Sequence, residues 1–223
     1  MLLTAHSGSD GTPENSLLFI ESMLAYGVSC IEVDVRKKDA ILYLNHDPID
    51  KIDAHLTLDE AFASVSKSSH TAINCDLKED GLEEEVMQYA EKYDLVDRLI
   101  LSGTVSIQKI KEPFKKDHVF FNPENILPDF YAHFTLDEAY LKPLVTYCQD
   151  NHIAVINVNY RIVTEEFIRI MHREGIKISV WTVNKFEKID QFKKWKIHNT
   201  TTREACAYMT HKNMRRSRVD RVK

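Results

Sequence analysis

The chain has 223 residues, 43% of them hydrophobic and 28% charged, with a formal net charge of −5. This is the length of one large domain or two small ones, with the composition of a soluble globular protein. No apolar run approaches the ~20 residues needed to span a bilayer. The start, Met1-Leu2-Leu3-Thr4-Ala5-His6, has neither the basic region nor the long apolar stretch of a secretory leader.

The charge is unevenly spread. Residues 211–223 hold six Lys/Arg and one acid, while the remaining 210 residues hold 23 basic and 33 acidic side chains. An acidic body with a short basic tail argues against a nucleic-acid partner, and the tail reads as a solvated helix end. The chain thus divides into a body, 1–210, and a basic tail, 211–223. Four cysteines (Cys30, Cys75, Cys148, Cys206) stand far apart, with no Cys-x-x-Cys pair. That argues against a thiolate zinc site and a disulfide scaffold, and for reduced thiols in a cytoplasmic protein.

In chain order, β-branched apolar stretches alternate with amphipathic helical ones. Strands are predicted near 2–6, 29–35, 40–46, 71–77, 97–102, 118–122, 153–158, 177–183 and 196–201. Helices are predicted near 15–27, 57–66, 81–93, 104–112, 136–150, 164–174 and 186–194. Thr57-Leu58-Asp59-Glu60 is a capping box. Thr135-Leu136-Asp137-Glu138 repeats its pattern, and Thr164 opens a further helix in the same style. Alternation of this kind predicts a parallel sheet with crossover helices, and eight such units in this length predict a closed TIM (β/α)8 barrel in a single domain. An open doubly wound sheet is the alternative, weakened by the lack of Gly-x-Gly-x-x-Gly. Nine strands are one too many for the barrel. The link between 29–35 and 40–46 is too short for a parallel crossover. Ile41–Asn45 is therefore read as the return strand of a hairpin that carries His46 to the barrel mouth.

Function in such barrels collects at the C-terminal ends of strands, and polar residues of this chain fall there repeatedly. His6 ends the first strand. Glu32 and Asp34 end the second at i, i+2, hence on one face. Asp76 and Lys78 repeat that spacing on a later strand. Asn157, Asn159, Trp181, Thr182 and Asn184 end others. Taken singly, each is an ordinary structural feature, but their common location is not. Two carboxylates on one face of an apolar strand are costly unless something offsets them; a cation is the usual offset, a solvated edge or a salt bridge to Arg36 or Lys78 the alternatives. Glu32, Asp34 and Asp76 are hard oxygen ligands suited to Mg²⁺ or Ca²⁺. His6 and His46 are acid–base candidates near neutral pH. With Lys78, the set suits phosphodiester chemistry. The remaining histidines read as surface residues.

These residues also form an ordered set of motifs. His6-x-Gly8 followed by Pro13-Glu14-Asn15-Ser16, then Ile31-Glu32-Val33-Asp34-Val35, His46-Asp47-Pro48, Asp76-Leu77-Lys78 and Val180-Trp181-Thr182-Val183-Asn184 span nearly the whole chain. In this order the chain resembles the glycerophosphodiester phosphodiesterases, a TIM-barrel family of lipid metabolism. The resemblance implies hydrolysis of a small-molecule glycerophosphodiester to glycerol 3-phosphate and an alcohol, with a divalent metal. It implies Glu32, Asp34 and Asp76 as metal ligands and His6 and His46 as the acid–base pair. His46 is taken as base and His6 as acid, with the reverse left open. Lys78, Ser7, Glu14, Asn15 and Trp181 are implied substrate contacts.

Two departures stand out. The family's phosphate-touching Arg after the first His is Ser7 here, with Arg36, Lys37, Lys38 or Arg161 as candidate replacements. The third ligand is Asp76 in place of Glu. The aspartate also gives a likeness to sphingomyelinase D barrels, which form cyclic phosphates, while Ser7 motivates a catalytically weakened phospho-ligand binder. Only eight residues separate Pro48 from Thr57, so the site is expected to be open on that side. Tyr160, Trp181 and Phe121 are aromatic candidates to face the alcohol group. Head group, choice of metal and oligomeric state are not readable from the residues.

Overall fold

The computed structural model describes residues 1–52, 54–110, 118–133 and 135–220. Nine strands occur among them: β1 (Leu2–Ala5), β2 (Cys30–Lys38), β3 (Ile41–Leu44), β4 (Ala72–Leu77), β5 (Leu99–Gly103), β6 (Phe120–Phe121), β7 (Val155–Asn159), β8 (Lys177–Trp181) and β9 (Asn199–Thr202). Eight run parallel in the order β5-β4-β2-β1-β9-β8-β7-β6. A parallel bridge between Leu101 and Val119 brings β5 to β6 and nearly closes the ring. The architecture is the TIM barrel expected from the alternating pattern.

β3 is the ninth strand, antiparallel to β2 with Lys38 opposite Ile41. The sequence reading ended the outgoing strand at Val35, whereas β2 runs on to Lys38. The turn is only two residues, Asp39 and Ala40, both at positive φ (49° and 64°). That is the twist a two-residue hairpin requires. The hairpin carries His46 back over the barrel mouth. Arg36 pins it there by donating from Nε to the His46 carbonyl at 2.9 Å.

Among the described residues seven α-helices pack outside the strands: α1 (Leu17–Tyr26), α2 (Leu58–Val65), α3 (Glu83–Lys92), α4 (Glu138–Asp150), α5 (Glu165–Arg173), α6 (Phe186–Lys194) and α7 (Ala205–Asp220). The Thr57–Glu60 capping box is present in full at α2. Thr164 caps α5 as expected. At α4 the cap is Asp137, which accepts from the Tyr140 N–H, rather than Thr135. Aspartate caps as well as threonine, so the second Thr-Leu-Asp-Glu starts its helix two residues later. Within the predicted helix 104–112 the described residues hold only a 3₁₀ turn, Ile107–Lys109, and residues 111 and 112 lie outside the description. No predicted helix corresponds to the start of α7. Its cap comes from far away in sequence: the Asp10 carboxylate accepts from Cys206 N and Ala207 N, each at 3.0 Å. α7 runs through position 210 without a break, and Lys212 reaches Asp190 at 2.6 Å. Among the described residues no helix is long and apolar enough to cross a membrane. The four cysteines are buried and form no disulfide.

The strands alternate in the way that positions the site. Along β2, Ile31, Val33 and Val35 are fully buried in the core between strands and helices, while Cys30, Glu32 and Asp34 take the alternate face. Cys30 belongs to a small apolar plug with Ile100, Phe120 and Val155. Further toward the mouth the interior turns polar. Thr4 Oγ1 donates to Asn199 Oδ1 (2.8 Å), Asn199 Nδ2 to Ser179 Oγ (2.9 Å), Ser179 Oγ to Asn157 Oδ1 (2.9 Å) and Asn157 Nδ2 to Asn122 Oδ1 (3.1 Å). This chain of bonds lines the β1-β9-β8-β7-β6 half of the barrel, where branched apolar residues usually dominate.

On the other half, Gly103 ends β5 at φ +80°, and a Cβ there would stand 2.4 Å from the Leu77 carbonyl and 2.8 Å from Asp76 Oδ1. Glycine lets β5 close against β4 beside the Asp76 carboxylate. Gly103→Ala is expected to destabilise the protein by about 2–4 kcal/mol, combining left-handed strain with overpacking, read as a lower denaturant midpoint with unchanged slope.

Candidate active site

The strand ends converge on one cleft of about 340 Å³, lined by His6, Glu32, Asp34, His46, Asn74, Asp76, Lys78, Ser102, Asn122, Glu124, Asn157, Trp181, Thr201 and Arg203. Register builds its acidic wall. β2 pairs with β4 so that Asp34 lies opposite Asp76 and Glu32 opposite Asn74. Glu32, Asp34 and Asp76 each place a carboxylate oxygen within 4.8 Å of the other two.

Each carboxylate is held separately. Glu32 Oε2 accepts from the Ser7 N–H at 3.0 Å. Asp34 Oδ2 accepts from Asn15 Nδ2 at 2.8 Å, while the Asp34 N–H donates to Asn15 Oδ1 at 2.9 Å. Asp76 Oδ1 accepts from Ser102 Oγ at 2.8 Å. Lys78 Nζ bridges Asp34, at 2.8 Å, and Asp76.

The electrostatics follow from this crowding. Burial pushes the Glu32 carboxyl well above the usual carboxylate range, and the charges of Asp34 and Asp76 push it further. Burial would raise Asp34 too, but the Lys78 ammonium and the Asn15 amide outweigh it and hold Asp34 low. Lys78 loses charge stabilisation through burial, yet the two aspartates more than restore it and its pKa is raised. With all three carboxylates ionised, as beside a bound cation, they and the one ammonium carry a charge of −2. Clustered hard oxygens with that residual charge fit one Mg²⁺ or Ca²⁺.

Two histidines share the cleft with the carboxylates. His6 follows β1 and is the more enclosed, with its side chain 22% exposed, while His46 is 63% exposed on the hairpin. His6 Nδ1 lies 3.0 Å from the Ser7 carbonyl. A carbonyl only accepts, so Nδ1 carries the proton and the neutral ring keeps its lone pair on Nε2. Burial lowers the His6 pKa, partly countered by that carbonyl, and Arg203 lowers it further. His46 Nδ1 meets Asp47 Oδ1 at 3.1 Å. The other histidines stand outside the cleft lining.

Of the five residues expected to contact substrate, Lys78 and Trp181 line the cleft. Ser7 is fully buried behind it, its Oγ accepting from the Asn15 N–H at 2.6 Å, and Asn15 is 5% exposed. Both brace the carboxylates. Glu14 lies outside the cleft lining and pairs with Arg203. Arg36, Lys37 and Lys38 are engaged with Glu79, Glu85 and the Ile49 carbonyl. Those three and Arg161 are absent from the lining; the arginine that does reach the cleft is Arg203. Phe121 is buried in the wall against Tyr147, Tyr160 packs on Phe192, and Trp181 faces the cleft with Tyr131 against it.

Sequence reasoning missed Asn74, Ser102, Asn122, Glu124, Thr201 and Arg203. Asn74 and Thr201-x-Arg203 extend the same i, i+2 alternation and were readable from it. Among the described residues, buried side-chain polar atoms without a partner are Asn74 Oδ1, Glu124 Oε2, Trp181 Nε1 and Glu83 Oε2. Three of these four belong to residues lining this cleft, the pattern expected where a polar ligand completes the bonding.

No family model matches this chain. The uncharacterized protein YqiK of Bacillus subtilis is 27% identical over 217 aligned residues, covering 82% of this chain and 86% of that protein. A glycerophosphodiester phosphodiesterase structure from Thermotoga maritima superposes with a TM-score of 0.70 at 20% identity, covering 94% of this chain and 97% of that one. An Oleispira antarctica phosphodiesterase in complex with sn-glycerol-3-phosphate superposes at 0.64 with 16% identity, covering 94% and 96%. The fold is shared. It is the barrel of those phosphodiesterases over nearly the whole chain, as the ordered motifs led us to expect.

Titration of the acidic wall yields a test of cation binding. In metal-stripped protein the Glu32 pKa lies above its unfolded value, so the folded state holds a proton that the unfolded chain has released. Its contribution is present at low pH and is lost as pH rises above about 4.5 toward the raised value. A bound divalent cation competes with that proton. Thermal midpoints measured with chelator and with Mg²⁺ or Ca²⁺ should therefore diverge as pH rises. A stabilisation by metal that stays constant from acid to neutral pH would contradict this reading.

Proposed function

We propose that the protein is a metal-dependent glycerophosphodiester phosphodiesterase, releasing glycerol 3-phosphate and an alcohol. The observation that carries the reading is that His6 and His46 line the same cleft as the Glu32–Asp34–Asp76 cluster. The shared barrel supports it, as does the product-bound Oleispira structure.

Glu32, Asp34 and Asp76 would hold Mg²⁺ or Ca²⁺, which supplies positive charge to a phosphoryl oxygen when bound. Lys78, fixed between two aspartates, adds a positive charge on the same side. His6 suits the base role better than the acid role. Its Nδ1–H is committed to the Ser7 carbonyl and burial favours the neutral ring, which leaves Nε2 to accept a proton. In the step we propose, Nε2 takes the proton of the attacking hydroxyl, whose oxygen bonds to phosphorus. The phosphorus–oxygen bond to the alcohol breaks, and a ring N–H of His46 protonates the departing oxygen. His6 then releases its proton and His46, on its exposed hairpin, takes one up, both by exchange with solvent, which restores the starting pair. Attack by water gives glycerol 3-phosphate directly. Attack by a neighbouring substrate hydroxyl would give a cyclic phosphate, and mass spectrometry of the product distinguishes the two.

His6→Ala and His46→Ala are each expected to lower turnover of glycerophosphocholine by about 10²–10⁴-fold, with cation binding retained in calorimetry. Near-normal turnover in either variant would remove that histidine from the mechanism. Activity that persists undiminished in chelator would remove the metal.

A further inference from the structure

We infer that Arg203 is the substrate-phosphate clamp of this cleft, held ready by Glu14; the inference rests on the phosphodiesterase reading and adds to it the group that recognises the anion.

β9 pairs with β1 so that Thr202 lies opposite Ala5, and the His6 N–H donates to the Thr202 carbonyl at 2.8 Å. The next residue on each strand is Arg203 and His6, so the arginine emerges beside the histidine at the same level of the barrel. Alternation points the same way: Asn199 lies in the polar interior layer, Thr201 lines the cleft, and Arg203 follows at i+2. The backbone is fixed on both sides. The Arg203 N–H donates to Asn184 Oδ1 at 2.9 Å, and the Arg203 carbonyl accepts from the Asp10 N–H at 2.8 Å.

Charge distribution then separates two cations with different duties. Lys78 is bound to Asp34 and Asp76, so its charge is largely committed to the acidic wall. Arg203 has one carboxylate partner, Glu14, at 2.6 Å from Nη1, and the two side chains are 39% and 52% exposed. Among the described residues Nε and Nη2 of Arg203 make no hydrogen bond, which leaves part of the guanidinium fork available to an incoming anion. A guanidinium matches phosphate oxygens in pairs in a way that an ammonium does not.

The pair is also built in sterically. Gly8, at φ +78°, packs beneath it, and a Cβ there would stand 2.7 Å from Glu14 Cγ and 3.2 Å from Arg203 Nη1. Glu14 thereby restrains the arginine before substrate arrives, which reduces the ordering cost of binding. A dianionic product or monoanionic diester facing three carboxylates needs cations on more than one side. Arg203 supplies one at the end of β9, beside His6.

The test uses the full chain loaded with Mg²⁺ or Ca²⁺, with inorganic phosphate and sn-glycerol 3-phosphate as probes in calorimetry, and glycerophosphocholine turnover as a separate arm. Arg203→Ala should weaken both phosphate probes by roughly 10–100-fold, with Arg203→Lys intermediate. Glu14→Gln should weaken both probes by a smaller factor than Arg203→Ala, about threefold, since it loosens the clamp without removing its charge. Thermal melting checks that each variant is folded. If Arg203→Ala binds both probes as the parent does, or if Glu14→Gln loses as much as Arg203→Ala, the clamp is disproved and the pair is structural. A parent that binds phosphate through Arg203 yet hydrolyses no diester would overturn the enzyme reading and leave the clamp standing. A parent that turns over diester with unchanged KM in Arg203→Ala would do the opposite.

Discussion

Three carboxylates within 4.8 Å of one another are the constraint around which the cleft is arranged. At an effective dielectric of 20, each such pair repels by about 3–4 kcal/mol. Parallel register forces the closeness: Asp34 and Asp76 are neighbours across β2 and β4, and Glu32 lies two residues below on the same face. The surroundings then read as responses to that repulsion. Asn15 and the Ser7 N–H bond two of the carboxylates, Ser102 bonds the third, and Lys78 bridges the aspartates. Gly103 lacks a side chain because Asp76 occupies the space. Lys78 neutralises one of the three charges, and the remainder is what a divalent cation would neutralise.

The two halves of the barrel divide the work accordingly. The β1, β2, β4 and β5 side contributes His6, the carboxylates and Lys78. The β6 to β9 side contributes amides and hydroxyls, joined from Thr4 through Asn199, Ser179 and Asn157 to Asn122, with Glu124 and Trp181 beside them. Such a layer fixes the orientation of Asn122 and Asn157, its two amides that line the cleft. The short connection after His46 leaves the hairpin side open, consistent with the exposure of that histidine.

Much of this was legible in the residues because strands repeat every two positions. Glu32-x-Asp34 and Asp76-x-Lys78 announce inward-facing charge, and the short link after β2 announces a hairpin. What stayed hidden depends on partners distant in sequence. Ser7 looks like a substrate contact beside His6, but its hydroxyl and N–H turn inward to Asn15 and Glu32. α7 starts without a local cap because Asp10 supplies it. Arg203 follows a polar strand, Asn199–Thr202, whose alternation was readable but whose neighbour, β1, was not. Sequence proximity therefore points to Arg36, Lys37, Lys38 and Arg161 as the second cation, near the acidic strands or a strand end, while barrel closure brings Arg203 from the other end of the chain.

The central claim is that Glu32, Asp34 and Asp76 together hold one divalent cation against the substrate phosphate. The most direct measurement is a crystal structure of the protein with Mn²⁺ and sn-glycerol 3-phosphate, with the metal located by its anomalous signal. The account predicts a single strong peak within bonding distance of all three carboxylates and of a phosphate oxygen. A cleft that binds glycerol 3-phosphate with no metal peak among those carboxylates, or a peak lying elsewhere, would contradict it.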